Sequence, residues 1–138
     1  MGLMEPTPGL RSVESHFGPG ETMTRLVAGI AARGLTLFAR IDHAAGAAAV
    51  GLPLRPTELV VFGHARGGTP LMQLRQEAGI DLPLRALVWQ DESGRTWMSY
   101  DDVAWIAARH QLPPAGAAVA AKLNAMLQGL AAAATGSK

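Results

Sequence analysis

The arrangement of apolar periodicities constrains this chain most. Between Glu21 and Arg33, apolar side chains fall at Met23, Leu26, Val27, Ile30 and Ala31, the spacing of one face of an α-helix. Glu21 sits where the helix dipole favours an acid, and Gly34 where a left-handed residue closes the end. On both sides of this helix the period changes to two. Before it, Val13, Ser15 and Phe17 alternate with Ser12, Glu14 and His16 until Gly18-Pro19-Gly20 interrupts. After it, Leu35, Leu37, Ala39 and Ile41 alternate with Thr36, Phe38, Arg40 and Asp42. A strand–helix–strand start of this kind needs a sheet face on which to bury the helix.

The remaining segments extend the same plan. "AAGAAAVGL" suits a short helical turn or compact loop, with Pro53 and Pro56 bracketing an extended connection. Glu58 to His64 is rich in strand-forming residues and is closed by Gly63. Thr69-Pro70 has the form of a helix start, with Thr69 as N-cap and Pro70 in the first helical position, running to about Gln76. Leu84–Asp91 and Arg95–Tyr100 form a hairpin in which Gly94 supplies the turn. Ser99 and Asp102 have capping-box spacing for a helix to Arg109 that buries Val103, Ile106 and Ala107. Beyond Pro113-Pro114, a last helix presents Val119, Leu123, Met126, Leu127 and Leu130. The expected fold is α+β: one domain at 10–130, a mainly antiparallel sheet with helices on one face, in β-α-β(4)-α-like order plus a C-terminal helix. Residues 1–9 are expected to be a loose lead-in and 131–138 a frayed tail.

Composition narrows the function classes. With 12 basic against 11 acidic residues, net charge +1, the chain lacks the concentrated positive charge that nucleic acid or anionic membrane requires. The absence of cysteine excludes disulfides, thiolate catalysis and thiolate-held zinc or iron–sulfur centres. No secretory leader is visible at the start and no unbroken apolar run approaches bilayer length, so a cytoplasmic protein is expected.

Three segments, "RIDHAAGA", "LRPTELVVFGHARGGTPLM" and "GIDLPLRALVWQD", resemble the signature of the domain-of-unknown-function 302 family of small bacterial proteins. The resemblance covers roughly Ser12 to Gln111 and implies a fold like that of the TATA-box-binding protein. It implies no reaction. Where family members more often carry Asn and Lys, this chain has His64 and Arg66, which argues against an invariant catalytic role for either. A shared fold implies nothing about DNA, and the basic saddle and apolar wedges of minor-groove binding are missing.

Candidate chemistry gathers at two segments. Asp42 and His43 close the strand that begins at Leu35, with His43 following the inward register of Leu37, Ala39 and Ile41. An imidazole there either locks the strand end by hydrogen bonds or ligates a metal or haem iron. "GHARGGT" is either a tight turn with a helix cap or a small-anion cradle of backbone amides aided by Arg66, with Gly68 and Thr69 at its centre. Asp81, before Leu82-Pro83, either caps a turn or pairs with Arg40, Arg66 or a ligand cation. His110, in the last turn of its helix, suits the negative end of the dipole. No H-x-x-x-H, H-x-H, H-E-x-x-H, G-x-S-x-G or P-loop pattern occurs.

These features favour a non-enzymatic domain that binds a small ligand through Arg40, Asp42, His43, His64, Arg66, Gly68, Thr69 and Asp81. No cofactor is expected; a metal, if any, falls to His43. The alternative is a metalloprotein or enzyme in which Asp42, His43 and Asp81 converge. A third reading is a structural dimeric adaptor. Met72, Met98, Trp89, Trp97 and Trp105 form either core or an apolar pocket. The two-Trp hairpin and the 49% hydrophobic content lead us to expect a homodimer.

Overall fold

The five strands pair in the order β1-β5-β4-β3-β2, and every pairing is antiparallel. The coordinates are those of a computed structural model and describe residues Pro6–Ser137. The strands are β1 (Leu10–Ser15), β2 (Thr36–Asp42), β3 (Thr57–Gly63), β4 (Leu84–Gln90) and β5 (Thr96–Asp101). The helices are α1 (Pro19–Ala32), α2 (His43–Ala49), α3 (Ala65–Leu74), α4 (Val103–Arg109) and α5 (Ala115–Thr135), and a 3₁₀ turn spans Gln76–Asp81. The fold is therefore a single α+β domain, a five-stranded antiparallel sheet with helices packed on it.

The core forms because α1 places Met23, Leu26 and Ile30 against the sheet positions Val60, Phe62, Ala86, Val88 and Met98, all nearly inaccessible. Helix α5 closes the layer with Ala120, Leu127, Leu130, Ala131 and Ala134. Gly29 of α1 lets α5 approach closely, since a methyl there would lie 3.1 Å from Leu130 Cδ2. Gly34 has the left-handed φ of +69° expected just past the end of α1. Between β4 and β5, Asp91 Oδ1 accepts from the amides of Ser93 and Arg95, and Gly94 takes φ +84°.

The C-terminal end departs from the expected frayed tail. Residues 131–135 continue α5, and Ala131, Ala134 and Thr135 are buried. Two contacts hold them: the Thr135 carbonyl accepts from His16 N at 2.9 Å, tying the helix end to the strand β1 side, and the Thr135 hydroxyl donates to Ala131 O at 2.7 Å. Gly136 then ends the helix at φ +77°. An alanine run carries no amphipathic signal, which is why tertiary burial here is invisible in sequence. Among the described residues α5 is also the one helix long and apolar enough to cross a bilayer by length and composition, although no single stretch of the sequence is unbroken by polar residues over that length. Its buried face packs on α1 and the sheet. The expected lead-in lies, as far as Glu5, outside the described residues, as does Lys138 of the expected tail.

Strand β2 carries a bulge that overturns the simple alternation. Leu37 pairs with Phe62, but Ala39 pairs with Val61, so the register shifts at Phe38. An extra residue exchanges the two faces downstream of it. Arg40, opposite buried Val60, and Asp42, opposite Glu58, therefore share the helix side, while Ala39 and Ile41 turn to the other face.

Candidate functional site

Where β3 ends and α3 begins, the chain builds an apolar cleft of about 230 Å³. Leu35, just before β2, and Phe38 within it line the cleft, with Met72 from α3, Gly79 and Leu82 from the 3₁₀ turn and the residue after it, and Leu123 and Met126 from α5. Four glycines, Gly63, Gly67, Gly68 and Gly79, keep it open. Methyl groups at Gly67 and Gly79 would stand 3.1 Å from Leu123 Cδ2 and from Met72 Sδ. At Gly68 the nearest atoms are Leu82 Cδ1 at 3.5 Å and Met72 Cε at 3.9 Å, so a methyl there would make ordinary van der Waals contact with the cleft wall.

The segment expected to be a turn before a Thr69-capped helix is already helix. Helix α3 starts at Ala65, its N-cap is His64, and Pro70 lies inside it. His64 Nδ1 accepts from Arg66 N at 3.0 Å, and His64 O accepts from the amides of Gly67 and Gly68. These bonds consume the amides that an anion cradle would have used. Because Nδ1 is an acceptor, the neutral imidazole carries its proton on Nε2, and His64 also lines the cleft. The cleft thus offers an apolar interior with two hydrogen-bonding side chains, His64 and Thr69, in its lining.

The eight expected site residues divide. His64, Gly68 and Thr69 line the cleft. Arg66 is exposed on α3 outside the lining. Arg40 is engaged by Glu58, with Nε to Oε2 at 2.9 Å and a second bond at 3.2 Å, and this pairing holds its already high pKa higher still. Asp42 caps α2 by accepting from Ala45 N at 2.9 Å. His43 is not buried in a strand register; it is the first residue of α2 and is exposed. The bulge and the cap remove both from the geometry that their spacing suggested. No group of three His, Asp or Glu among the described residues gathers in a way that would hold a metal ion.

Asp81 pairs with neither Arg40 nor Arg66. It is 7% exposed, and Arg109 straddles its two oxygens at 2.8 and 2.9 Å while His110 Nε2 lies 2.6 Å from Oδ2. This cluster pins the 3₁₀ turn, one wall of the cleft, to the end of α4. Sequence reading missed it because the partners lie 28 and 29 residues away, beyond any local spacing rule. At the other end of α4, Asp102 rather than Ser99 is the N-cap, accepting from Ala104 N, Asn124 Nδ2 and Arg11. Partial burial would raise the Asp102 carboxyl, but the bonds from Asn124, Arg11 and Ala104 outweigh it and hold the group below the usual range. Met72, expected to belong to either core or an apolar pocket, lines the cleft; the apolar liners Phe38, Leu123 and Met126 carried no site signal, since residues of this type at such spacing also make ordinary core.

Comparison with known proteins gives fold and family. The crystal structure of an uncharacterized conserved DUF302 protein from Bacillus stearothermophilus superposes with a TM-score of 0.81 at 17% identity, covering 91% of this chain and 97% of that one. Proteins named fluoride-specific ion channel FluC 1 in Brucella suis biovar 1 and Brucella abortus biovar 1 are each 48% identical over 104 residues, 75% of this chain. The match spans 41% and 38% of those two proteins, so this chain accounts for about two-fifths of their length. The family model for the domain of unknown function DUF302 matches residues 11–130. The chain belongs to that family.

Proposed function

We propose that this DUF302 chain is a non-enzymatic binding domain for a small, largely apolar molecule with one hydrogen-bond-accepting end. The observation that carries the reading is the apolar cleft of about 230 Å³ with His64, its proton on Nε2, and Thr69 in its lining. Its volume exceeds the ~150 Å³ cavity that accepts benzene and falls below the ~300 Å³ at which pockets for drug-sized ligands begin. That range suits a ligand of roughly ten non-hydrogen atoms. Met72 and Met126 give the walls an adaptable, polarizable surface. Arg40, Asp42 and Asp81 are engaged elsewhere and Arg66 lies outside the lining, so an apolar body with a hydroxyl or carbonyl head fits better than a compact anion.

Calorimetric titration with octan-1-ol tests this. One site per chain is expected, weakened about 5- to 10-fold in His64→Ala by loss of one hydrogen bond and abolished in Gly68→Val, which fills the cleft. Undiminished binding in Gly68→Val, with the fold intact by circular dichroism, contradicts the proposal.

The relatives named as fluoride channels favour a second reading, in which a domain of this kind works beside a membrane protein and reports cleft occupancy to it. Fluoride efflux from vesicles carrying such a relative, with and without its matching segment, tests that reading. An efflux rate indifferent to the segment and to octan-1-ol rejects it.

A further inference from the structure

Helices cover one face of the sheet; among the described residues nothing covers the other, and that face is not a solvent face in composition. The strand pairings lay it out in three rows. The middle row runs Ile41, Leu59, Leu87, Ser99, Ser12 from β2 to β1. One flanking row is Ala39, Val61, Arg85, Asp101, Leu10, its Arg85–Asp101 step joined by an ion pair at 3.3 Å. The other is Thr57, Trp89, Trp97, Glu14. An antiparallel sheet with a wet face ordinarily shows polar residues there. Here β2, β3 and β4 show Ala, Ile, Leu, Val, Leu and Trp beside one Thr and one Arg, and Ile41 is 42% exposed.

We infer that this face docks onto a second copy of the chain. Its serine hydroxyls and indole N–H groups are already satisfied within one copy. Ser12 and Ser99 hydroxyls bond each other at 2.6 Å, Trp89 Nε1 donates to Ser99 at 2.8 Å, and Trp97 Nε1 donates to Asp91 at 2.9 Å. Docking therefore strands no donor among them, and the stacked indoles, 6.3 Å between centroids, present only ring surface. Spacings of ~4.8 Å between strands and ~6.8 Å between alternate residues make the face about 500 Å² in projection. Two copies together then bury about 1,000 Å² or more, the threshold of a specific interface.

The face is apolar over β2–β4 and polar over β5–β1, which selects the symmetry. A two-fold axis along the strands would lay Ile41 over Ser12. An axis along the middle row lays Ile41, Leu59 and Leu87 against their own copies and exchanges the flanking rows. Arg85 of one copy then lies over Trp89 of the other, a favourable cation–ring arrangement. The contact is isologous and closed, so it stops at two.

The absence of cysteine makes this directly testable. Native mass spectrometry of the wild-type chain at about 20 µM is expected to give twice the 14.4 kDa chain mass. Leu59→Lys and, independently, Ile41→Lys should return the single-chain mass with unchanged circular dichroism. A short bismaleimide should join Leu59→Cys or Leu87→Cys copies, and not Lys122→Cys copies, whose cysteine lies at an exposed position of α5. A single-chain mass for the wild type, or a dimer that survives both Lys variants and cross-links through Lys122→Cys, overturns the inference.

Discussion

Replacing Gly68 by Ala separates two accounts of the "GHARGGT" segment. In the structure Gly68 is the fourth residue of α3 and its amide makes the first helical bond, to His64 O at 3.2 Å. A glycine at such a helical position costs about 0.5–1 kcal/mol relative to alanine. The new methyl would meet Leu82 Cδ1 at 3.5 Å and Met72 Cε at 3.9 Å, ordinary contacts with no strain to offset the gain. Gly68→Ala should therefore stabilise the ligand-free protein by about 0.5–1 kcal/mol. For a chain this long that is a rise in Tm of roughly 2–3 °C. Gly67→Ala is the internal control. Its methyl would press on Leu123 Cδ2 at 3.1 Å, so its gain should be smaller, below about 0.5 kcal/mol. Urea unfolding followed by circular dichroism measures both, and octan-1-ol affinity should fall in Gly68→Ala as the cleft narrows. Destabilisation of Gly68→Ala by about 1 kcal/mol or more would mean a left-handed turn residue, and would refute both the early helix start and the open cleft.

Other perturbations follow from the same contacts. Asp81→Ala should cost about 2–3 kcal/mol in urea unfolding, somewhat under the full value for a broken buried pair because Arg109 is 49% exposed and re-hydrates. It should also weaken octan-1-ol binding by freeing the 3₁₀ wall. Asp102→Ala should cost about 1–2 kcal/mol through loss of the α4 cap and its bond to Asn124. The carboxyls of Asp91 and Asp102 are held low, Asp91 chiefly by the Trp97 indole N–H. Their stabilisation is thus present above the ordinary carboxylate range and lost as pH falls through their lower folded values. Urea midpoints should drop on acidification below about pH 4, and the drop should be shallower in Asp102→Asn. Gly9→Ala should destabilise strongly, because Gly9 has φ +75° and a methyl there would collide with the Trp105 ring.

Much of the fold was legible because local and global signals agree. Met23, Leu26 and Ile30 mark α1 as clearly in sequence as in burial, and Gly34 and Gly94 stand at the left-handed positions that need them. The site was legible only in part, for three physical reasons. Thr69-Pro70 has the chemistry of a helix start, yet His64 took the cap and proline was accepted inside α3. The bulge at Phe38 moved Arg40 and Asp42 to the opposite face without disturbing the visible alternation. The Asp81–Arg109–His110 cluster joins elements that meet only after packing. What makes a cleft is missing volume, and a sequence records side chains, so Gly68 read as a turn rather than as part of a cleft wall.

The most direct test of the binding account is a ¹³C-methyl NMR titration of methionine-labelled protein with octan-1-ol. Met72 and Met126 line the cleft, while Met23 and Met98 are buried in the core. Saturable shifts at Met72 and Met126, with Met23 and Met98 unmoved and the response reduced in His64→Ala, are the predicted result. Shifts shared equally by all four, or none at Met72 and Met126 up to the solubility of the alcohol, contradict the claim that this cleft is the binding site.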